Sequence, residues 1–216
     1  MHEYLIINNA KWYRFCRCNN YKGRIMSKVE ELTKHLRRGK VYRRSELELW
    51  SNAVDRHIAE LLADKTLQRL SPGLYYYPKM TAFGVAPPDE ETLVRSFLKE
   101  DDFLLLSPNA YNTLGVGTTQ LYNKRLVYNH KRHGKFVLGG RTFFFHRKPR
   151  FPKKLTTEFL MVDLVNNLDT LAEDPNEVLT NVKQKVKKMN TTKLQKAVKN
   201  YGGVQAKKIF RTPISR

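Results

Sequence analysis

Residues 41–79, VYRRSELELWSNAVDRHIAELLADKTLQRLSPGLYYYPK, decide the fold. Val41-Tyr42 is a brief extended step. Ser45 then caps a short helix through Glu46, Leu47, Leu49 and Trp50, its hydroxyl taking a backbone N–H that the helix start leaves unbonded. Ser51 or Asn52 opens a longer helix, whose Val54, Ile58, Leu61 and Leu62 recur at three and four residues and share one face. Leu67-Gln68-Arg69-Leu70 and Leu74-Tyr75-Tyr76-Tyr77 flank Ser71-Pro72-Gly73. Pro fixes φ at the first central position of a turn and Gly supplies positive φ at the next, so this segment reads as a β-hairpin.

Upstream, Ser27 caps a helix in which Val29, Leu32 and Leu36 make the apolar stripe, ending near Gly39. Three short helices followed by a hairpin spell a winged helix-turn-helix over residues 26–80. In such a fold the third helix enters the major groove with its N-terminal residues at the base edges. Asn52, Asp55, Arg56 and His57 lie off the Val54/Ile58/Leu61 face or at its edge. Arg56 suits guanine and Asn52 adenine. Arg43, Arg44 and Arg69 are placed to hold phosphates, which gives affinity and register without sequence information. Ser45, Ser51 and Lys79 complete the contacts expected in this half.

The 25 residues before Met26 are aromatic, Asn-rich and aperiodic. They read as an extension ahead of a start at Met26, since Lys22-Gly23-Arg24 can be encoded by a purine-rich, ribosome-binding-like stretch. As a real arm, the extension would offer Lys11, Arg14, Arg17, Lys22 and Arg24 to DNA. Cys16 and Cys18 are too close to staple a fold, which fits a reducing cytosol. No apolar run approaches the ~20 residues of a membrane span.

Charge is distributed unevenly. The chain carries +20 in total, but residues 1–102 hold 18 basic and 14 acidic side chains. Residues 103–157 hold 11 basic and no acidic ones, residues 158–177 six acidic and no basic ones, and residues 178–216 again 11 basic and none acidic. Solubility is normally served by mixed signs, so two acid-free stretches of this length point to a polyanionic partner. Lys131 and Arg132, in a basic turn, and Lys183, Lys187 and Lys188, on a Lys-covered helix, are the expected contacts of this half.

Pro78, Gly84, Pro87 and Pro88 mark a boundary at 78–92, and Asp89-Glu90-Glu91 start a helix at 89–99. The second domain, 89–216, continues with the apolar run Phe103–Leu106 and a short helix from Ser107-Pro108 through Ala110, Tyr111 and Leu114. Strands follow near 120–122, 125–128, 135–138 and 141–146, with Gly139-Gly140 as a hairpin turn. Arg141-Thr142-Phe143-Phe144-Phe145-His146 is apolar on both faces, so it reads as a central strand. The helix at 155–171 is apolar nearly all round and belongs to the core. The helix at 176–189 carries one stripe, Val178, Val182, Val186 and Met189, and lysines elsewhere. A helix at 193–201 ends at Gly202-Gly203, before a short terminal helix with Ile209 and Phe210. The architecture is α+β: an N-terminal winged helix-turn-helix followed by a basic domain with a small β-sheet and packed helices.

Catalytic signals are weak. Gly115-Val116-Gly117-Thr118-Thr119 lacks the Gly-Lys-Ser/Thr ending and the strand-loop-helix setting of a phosphate loop. His130 and His133 have cationic neighbours and no nearby carboxylate, which disfavours a metal. Asp163 sits in the apolar helix and reads as a structural hydrogen bonder. Tyr75-Tyr76-Tyr77 and Phe143-Phe144-Phe145 read as core positions of strands rather than stacking platforms. Neither catalysis, a cofactor nor a metal is expected.

Residues 41–79, with their "IAELLADKTLQRL" transition and "SPGLYYYP" wing, resemble the N-terminal winged helix of AbiEi-like antitoxins. These belong to the type IV toxin–antitoxin systems linked to abortive phage infection. "LLLSPNAYNTLGVGTTQ" (104–120) leading to "RTFFFHRK" (141–148) is similar to the start of that family's C-terminal domain, so the resemblance spans roughly 28–170. It implies a DNA-binding autorepressor of its own operon. Winged helices on inverted repeats often act in pairs, so an inverted-repeat operator that can be bound by two copies is the expectation of the fold. The resemblance also implies an antitoxin that offsets a neighbouring nucleotidyltransferase toxin. By position, the recognition helix is Asn52 to Ala63 and the wing Arg69 to Pro78. The Lys-rich end from Lys183 has no match in the resemblance. A second expectation stays open: a general RNA- or DNA-binding module working through the basic C-terminal half.

Overall fold

The computed structural model describes residues 27–211, and the expectations placed on residues 1–26 lie outside them. Helix α1 (Lys28–His35) opens on Ser27, whose Oγ accepts the Glu30 N–H while the Glu30 carboxylate accepts the Ser27 N–H, a reciprocal capping box. Strand β1 (Val41–Arg43) leads directly into α2 (Arg44–Leu47), which tightens into a 3₁₀ turn over Glu48–Trp50. Ser45 therefore lies inside α2. The cap position is Arg43, whose N–H is taken by the Glu46 carboxylate at 2.8 Å. Helix α3 spans Val54–Ala63, starting two residues later than Asn52.

Strands β2 (Gln68–Ser71) and β3 (Leu74–Tyr76) form the expected hairpin, with Gly73 at φ +73 in its turn. Strand β3 also pairs antiparallel with β1, giving a three-stranded sheet of order β1-β3-β2. Leu32, Leu36, Leu47, Val54, Ile58, Leu61 and Leu67 gather between the helices and Tyr42 and Tyr75 of the sheet. Each such side chain contributes roughly 1.5–3 kcal/mol of gross burial, which is what holds helices this short in place.

A small hairpin, β4 (Lys79–Thr81) and β5 (Gly84–Ala86), follows. Next comes α4 (Glu90–Leu98), capped by Asp89. A four-stranded sheet of order β6-β7-β9-β8 comprises β6 (Phe103–Leu106), β7 (Arg125–Asn129), β8 (Gly134–Leu138) and β9 (Arg141–Arg147). As expected of a strand apolar on both faces, β9 is interior, antiparallel to β8 and parallel to β7. The parallel pairing is absent from the sequence reading. The strand expected at 120–122 does not form. That segment is held instead by side chains: Asn109 brackets Tyr122, donating to its carbonyl and accepting its N–H, and Glu173 Oε1 accepts the Thr119 and Gln120 N–H groups.

The remaining helices are α5 (Thr157–Asn167), α6 (Pro175–Val186), α7 (Thr191–Tyr201) and α8 (Val204–Arg211). Seven consecutive residues of α5, Phe159 to Val165, are buried, because the sheet, the 3₁₀ helix Pro108–Leu114, α7 and α8 surround it. The fold is mixed α+β.

The two halves share a core. Val41, Leu70, Leu74 and Tyr76 of the first sheet cluster with Leu93, Val94 and Leu98 of α4 and Val127, Leu138, Phe143 and Phe145 of the second sheet. Gly139 donates its N–H to the Leu70 carbonyl at 3.0 Å, and a Cβ at Gly139 would lie 3.1 Å from Leu70 Cδ2. A side chain there would strain both the left-handed φ of +56 and the packing of the two halves. Among the described residues, no helix is long and apolar enough to cross a membrane.

Candidate nucleic-acid interface

The start of α3 is set by a buried pair. Ser51 Oγ lies 2.7 Å from His57 Nδ1 and also accepts the Ala53 N–H at 3.3 Å. Only 2% of His57 is exposed. His57, expected off the apolar face or at its edge, faces inward. It lies three residues after Val54 and next to Ile58, so it completes the inward stripe Val54, His57, Ile58, Leu61. His57 therefore faces inward and orients α3 from behind, while Ser51, though mostly buried, also lines the depression in front of the helix.

Asn52, Asp55 and Arg56 are solvent-facing on the opposite side. Together with Arg44 they line a shallow depression of about 390 Å³ at the helix start. Arg44 binds Asp55 side-on, Nε to Oδ1 at 2.8 Å and Nη2 to Oδ2 at 2.7 Å, while its Nη1 donates to Glu48 at 2.9 Å. Hydrogen bonding to Arg44 holds the Asp55 carboxyl below the usual range, and the same bonds raise the Arg44 guanidinium. Arg56 has only a loose approach to Glu60, 3.9 Å away, and is free to reach outward.

The other expected cations divide into those the fold uses and those it leaves exposed. Arg43 turns towards α4, where its Nε donates to the Ser96 carbonyl at 2.6 Å and its Nη2 to the Arg95 carbonyl at 3.3 Å. It thus satisfies two carbonyls in the last turn of α4, the end of a helix that favours a cation. Arg43 is a brace between the halves, a different role from the phosphate contact expected of it. Lys131 pairs with Glu100 at 3.2 Å. The Arg132 guanidinium lies 4.5 Å from the Phe97 ring centre and 5.8 Å from that of Phe136. Asn129 closes their turn by accepting both backbone N–H groups. Arg69 and Lys79 are exposed on β2 and β4. Lys183 is exposed on α6, where Val178, Val182 and Val186 are buried, the division its periodicity predicts. The helix ends at Val186, short of the expected Met189, so Lys187 and Lys188 are exposed in the turn that follows it.

Asp163 is 1% exposed and anchors a polar cluster. It accepts from Tyr111 Oη at 2.8 Å, Tyr128 Oη at 2.9 Å and Lys148 Nζ at 3.2 Å. Burial, followed by the Asp163 charge, pushes both phenols above the ordinary tyrosine range. The hydrogen-bonding role expected of Asp163 is present, and it is wider than one bond. Neither Lys148 nor the trough above it is announced by any sequence motif. That trough has a volume of about 660 Å³ and runs between the β9–α5 connection and the α7–α8 turn. Its cations, Lys148, Arg150, Lys199 and Lys207, come from segments 49 or more residues apart (148–150 against 199–207), so no local pattern announces them.

Among the described residues, no group of three or more His, Cys, Asp or Glu converges as metal ligands would. The sequence matches no protein-family model and no curated protein.

Proposed function

We propose that this chain is a sequence-specific duplex-DNA-binding regulator that works by binding rather than by catalysis. The observation that carries this reading is the exposed row Asn52, Asp55 and Arg56 at the start of α3, held in place by the Ser51–His57 bond. The order helix, strand, helix, helix, hairpin supports reading α3 as a recognition helix and β2–β3 as a wing. With the resemblance to AbiEi-like antitoxins, the proposal extends to an autorepressor and antitoxin of a type IV system. It would act on inverted repeats in its own operator and counter a nucleotidyltransferase toxin. Two copies on such a repeat would set their α3 helices about one DNA turn, ~34 Å, apart.

The test is a binding titration of the chain against the DNA upstream of its own gene and a random duplex, at two salt concentrations. A preference of ~10³-fold or more that persists at the higher salt supports a specific repressor. Equal, salt-labile binding to both overturns it. The reading would then pass to a general nucleic-acid-binding module in the C-terminal half, which the cation-lined trough favours.

A further inference from the structure

We infer that the trough between the β9–α5 connection and the α7–α8 turn is a binding site for single-stranded nucleic acid, separate from the duplex interface proposed on α3. Its walls alternate the two kinds of surface that an unpaired strand needs. Arg150, Lys199 and Lys207 are exposed and, among the described residues, have no carboxylate within ion-pair distance. Phosphates would supply the missing counter-charge. Lys148 is the one lining cation that is neutralised, by the buried Asp163, and its Nζ also lies 3.7 Å from the centre of the Tyr128 ring. The floor cation is thus paired and the rim carries unbalanced positive charge.

Between these cations lies apolar and ring surface. Val204 is 89% exposed, and half-buried Tyr201, whose ring packs edge-on against Phe159 at 5.3 Å, lines the same wall. A second depression of about 390 Å³ adjoins and shares Arg150 and Tyr201; there His130 stacks on Phe151 with ring centres 4.7 Å apart. Base faces stack on such surfaces with little regard to sequence, while Asn200, which lines both depressions, offers hydrogen-bonding groups to base edges. Shape decides between strand states. A duplex is read by an element that protrudes into its groove, whereas a concave, ring-bearing cationic trough receives splayed-out bases.

The test uses the full chain and fluorescence anisotropy with labelled octamers of deoxythymidylate and uridylate, beside a random 20-base-pair duplex. The triple substitution Arg150→Ala/Lys199→Ala/Lys207→Ala removes the rim. Lys28→Ala/Lys124→Ala/Lys193→Ala removes the same charge from exposed positions elsewhere and controls for loss of net charge. All six side chains are exposed, so both variants should melt at the parent's temperature. The expected result is a loss of about tenfold or more on the octamers for the rim variant and under about threefold for the control, with the duplex affected less than the octamers. Tighter binding of uridylate would identify RNA as the natural strand, and tighter binding of deoxythymidylate would identify DNA. Either sustains the site. Equal losses in the two variants, a larger loss on the duplex, or no octamer binding by the parent would overturn it. None of these outcomes depends on whether the upstream duplex is bound specifically.

Discussion

Arg44 and Asp55 meet side-on in front of α3, joined by two parallel hydrogen bonds of 2.8 and 2.7 Å. The pair is solvent-exposed, so it adds little to stability, but it ties a cation and an anion together where a phosphate would arrive. At the proposed duplex interface Asp55 would oppose DNA twice, by its own charge and by engaging Arg44. Asp55→Asn should raise affinity for specific and random duplex alike, by about three- to tenfold at low salt, and Arg44→Ala should lower both. The check is a paired titration on the two duplexes. A loss confined to the specific duplex in Asp55→Asn would show instead that the carboxylate reads a base, as an acceptor from cytosine does.

Arg56 is the side chain at this helix start with the most freedom to read a base, since its nearest acid is 3.9 Å away. Arg56→Ala should cost ~1–3 kcal/mol on the specific duplex and relax specificity at one base pair. Lys187→Ala, just past the end of α6, should weaken all duplexes about equally and lower the salt slope by roughly one unit. Equal losses on specific and random DNA for Arg56→Ala would remove it from base readout.

Much of this arrangement was legible in the sequence, because periodicity reports which residues share a face. Ser27, the Val54/Ile58/Leu61 stripe, Pro72-Gly73 and the both-faced apolarity of Phe143–Phe145 each map onto the element they announce. What stayed hidden depends on partners distant in sequence. Arg43 bonds residues 52 and 53 positions away, and Arg132 rests on Phe97, so neither role leaves a local trace. The segment 120–122 has strand-like residues but no neighbouring strand to pair with, and propensity yields to that. His57 is the instructive miss. Its spacing from Val54 and Leu61 puts it at the edge of the apolar face, and the Ser51 hydroxyl supplies the bond that makes burial there tolerable.

That bond makes His57 a stability residue. His57→Ala opens a cavity against Val54 and Ile58 and leaves the buried Ser51 hydroxyl with one partner fewer. A loss of about 2 kcal/mol is expected in urea denaturation. Asn52 and Arg56 stay in place, so duplex specificity of the folded fraction should be retained. A specificity change with unaltered stability would return His57 to the interface.

The Asp163 cluster gives an asymmetric pair of variants. Asp163→Ala strips Tyr111, Tyr128 and Lys148 of their common acceptor and should cost about 3 kcal/mol. Lys148→Met leaves Asp163 with two phenol donors, and because Lys148 is partly exposed the loss should be smaller, about 1 kcal/mol. Chemical denaturation of the two variants and the double mutant measures the coupling. Equal losses would mean that the phenols do not hold the carboxylate unaided.

The pH response of stability should be governed near neutrality by His146. It lies on β9 with its ring edge-on to Tyr128 and His133, and burial, then the charges of Lys148 and His133, lower its pKa in the folded chain. Between the folded value and the unfolded value of about 6.5, the unfolded chain holds a proton that the folded chain does not, so stability rises with pH across that window. Its contribution is complete above about pH 6.5 and is lost as pH falls through the folded value. Asp55 and Asp89 are held low by Arg44 and by the Thr92 N–H respectively, and their contributions are lost only below about pH 4, well separated from that window. Urea midpoints measured from pH 7.5 down to 5 should therefore decline. In His146→Phe, which keeps a ring against Tyr128 but carries no proton, the decline should be shallower. Identical slopes in parent and variant would assign the loss to another group and leave His146 neutral for reasons of packing alone.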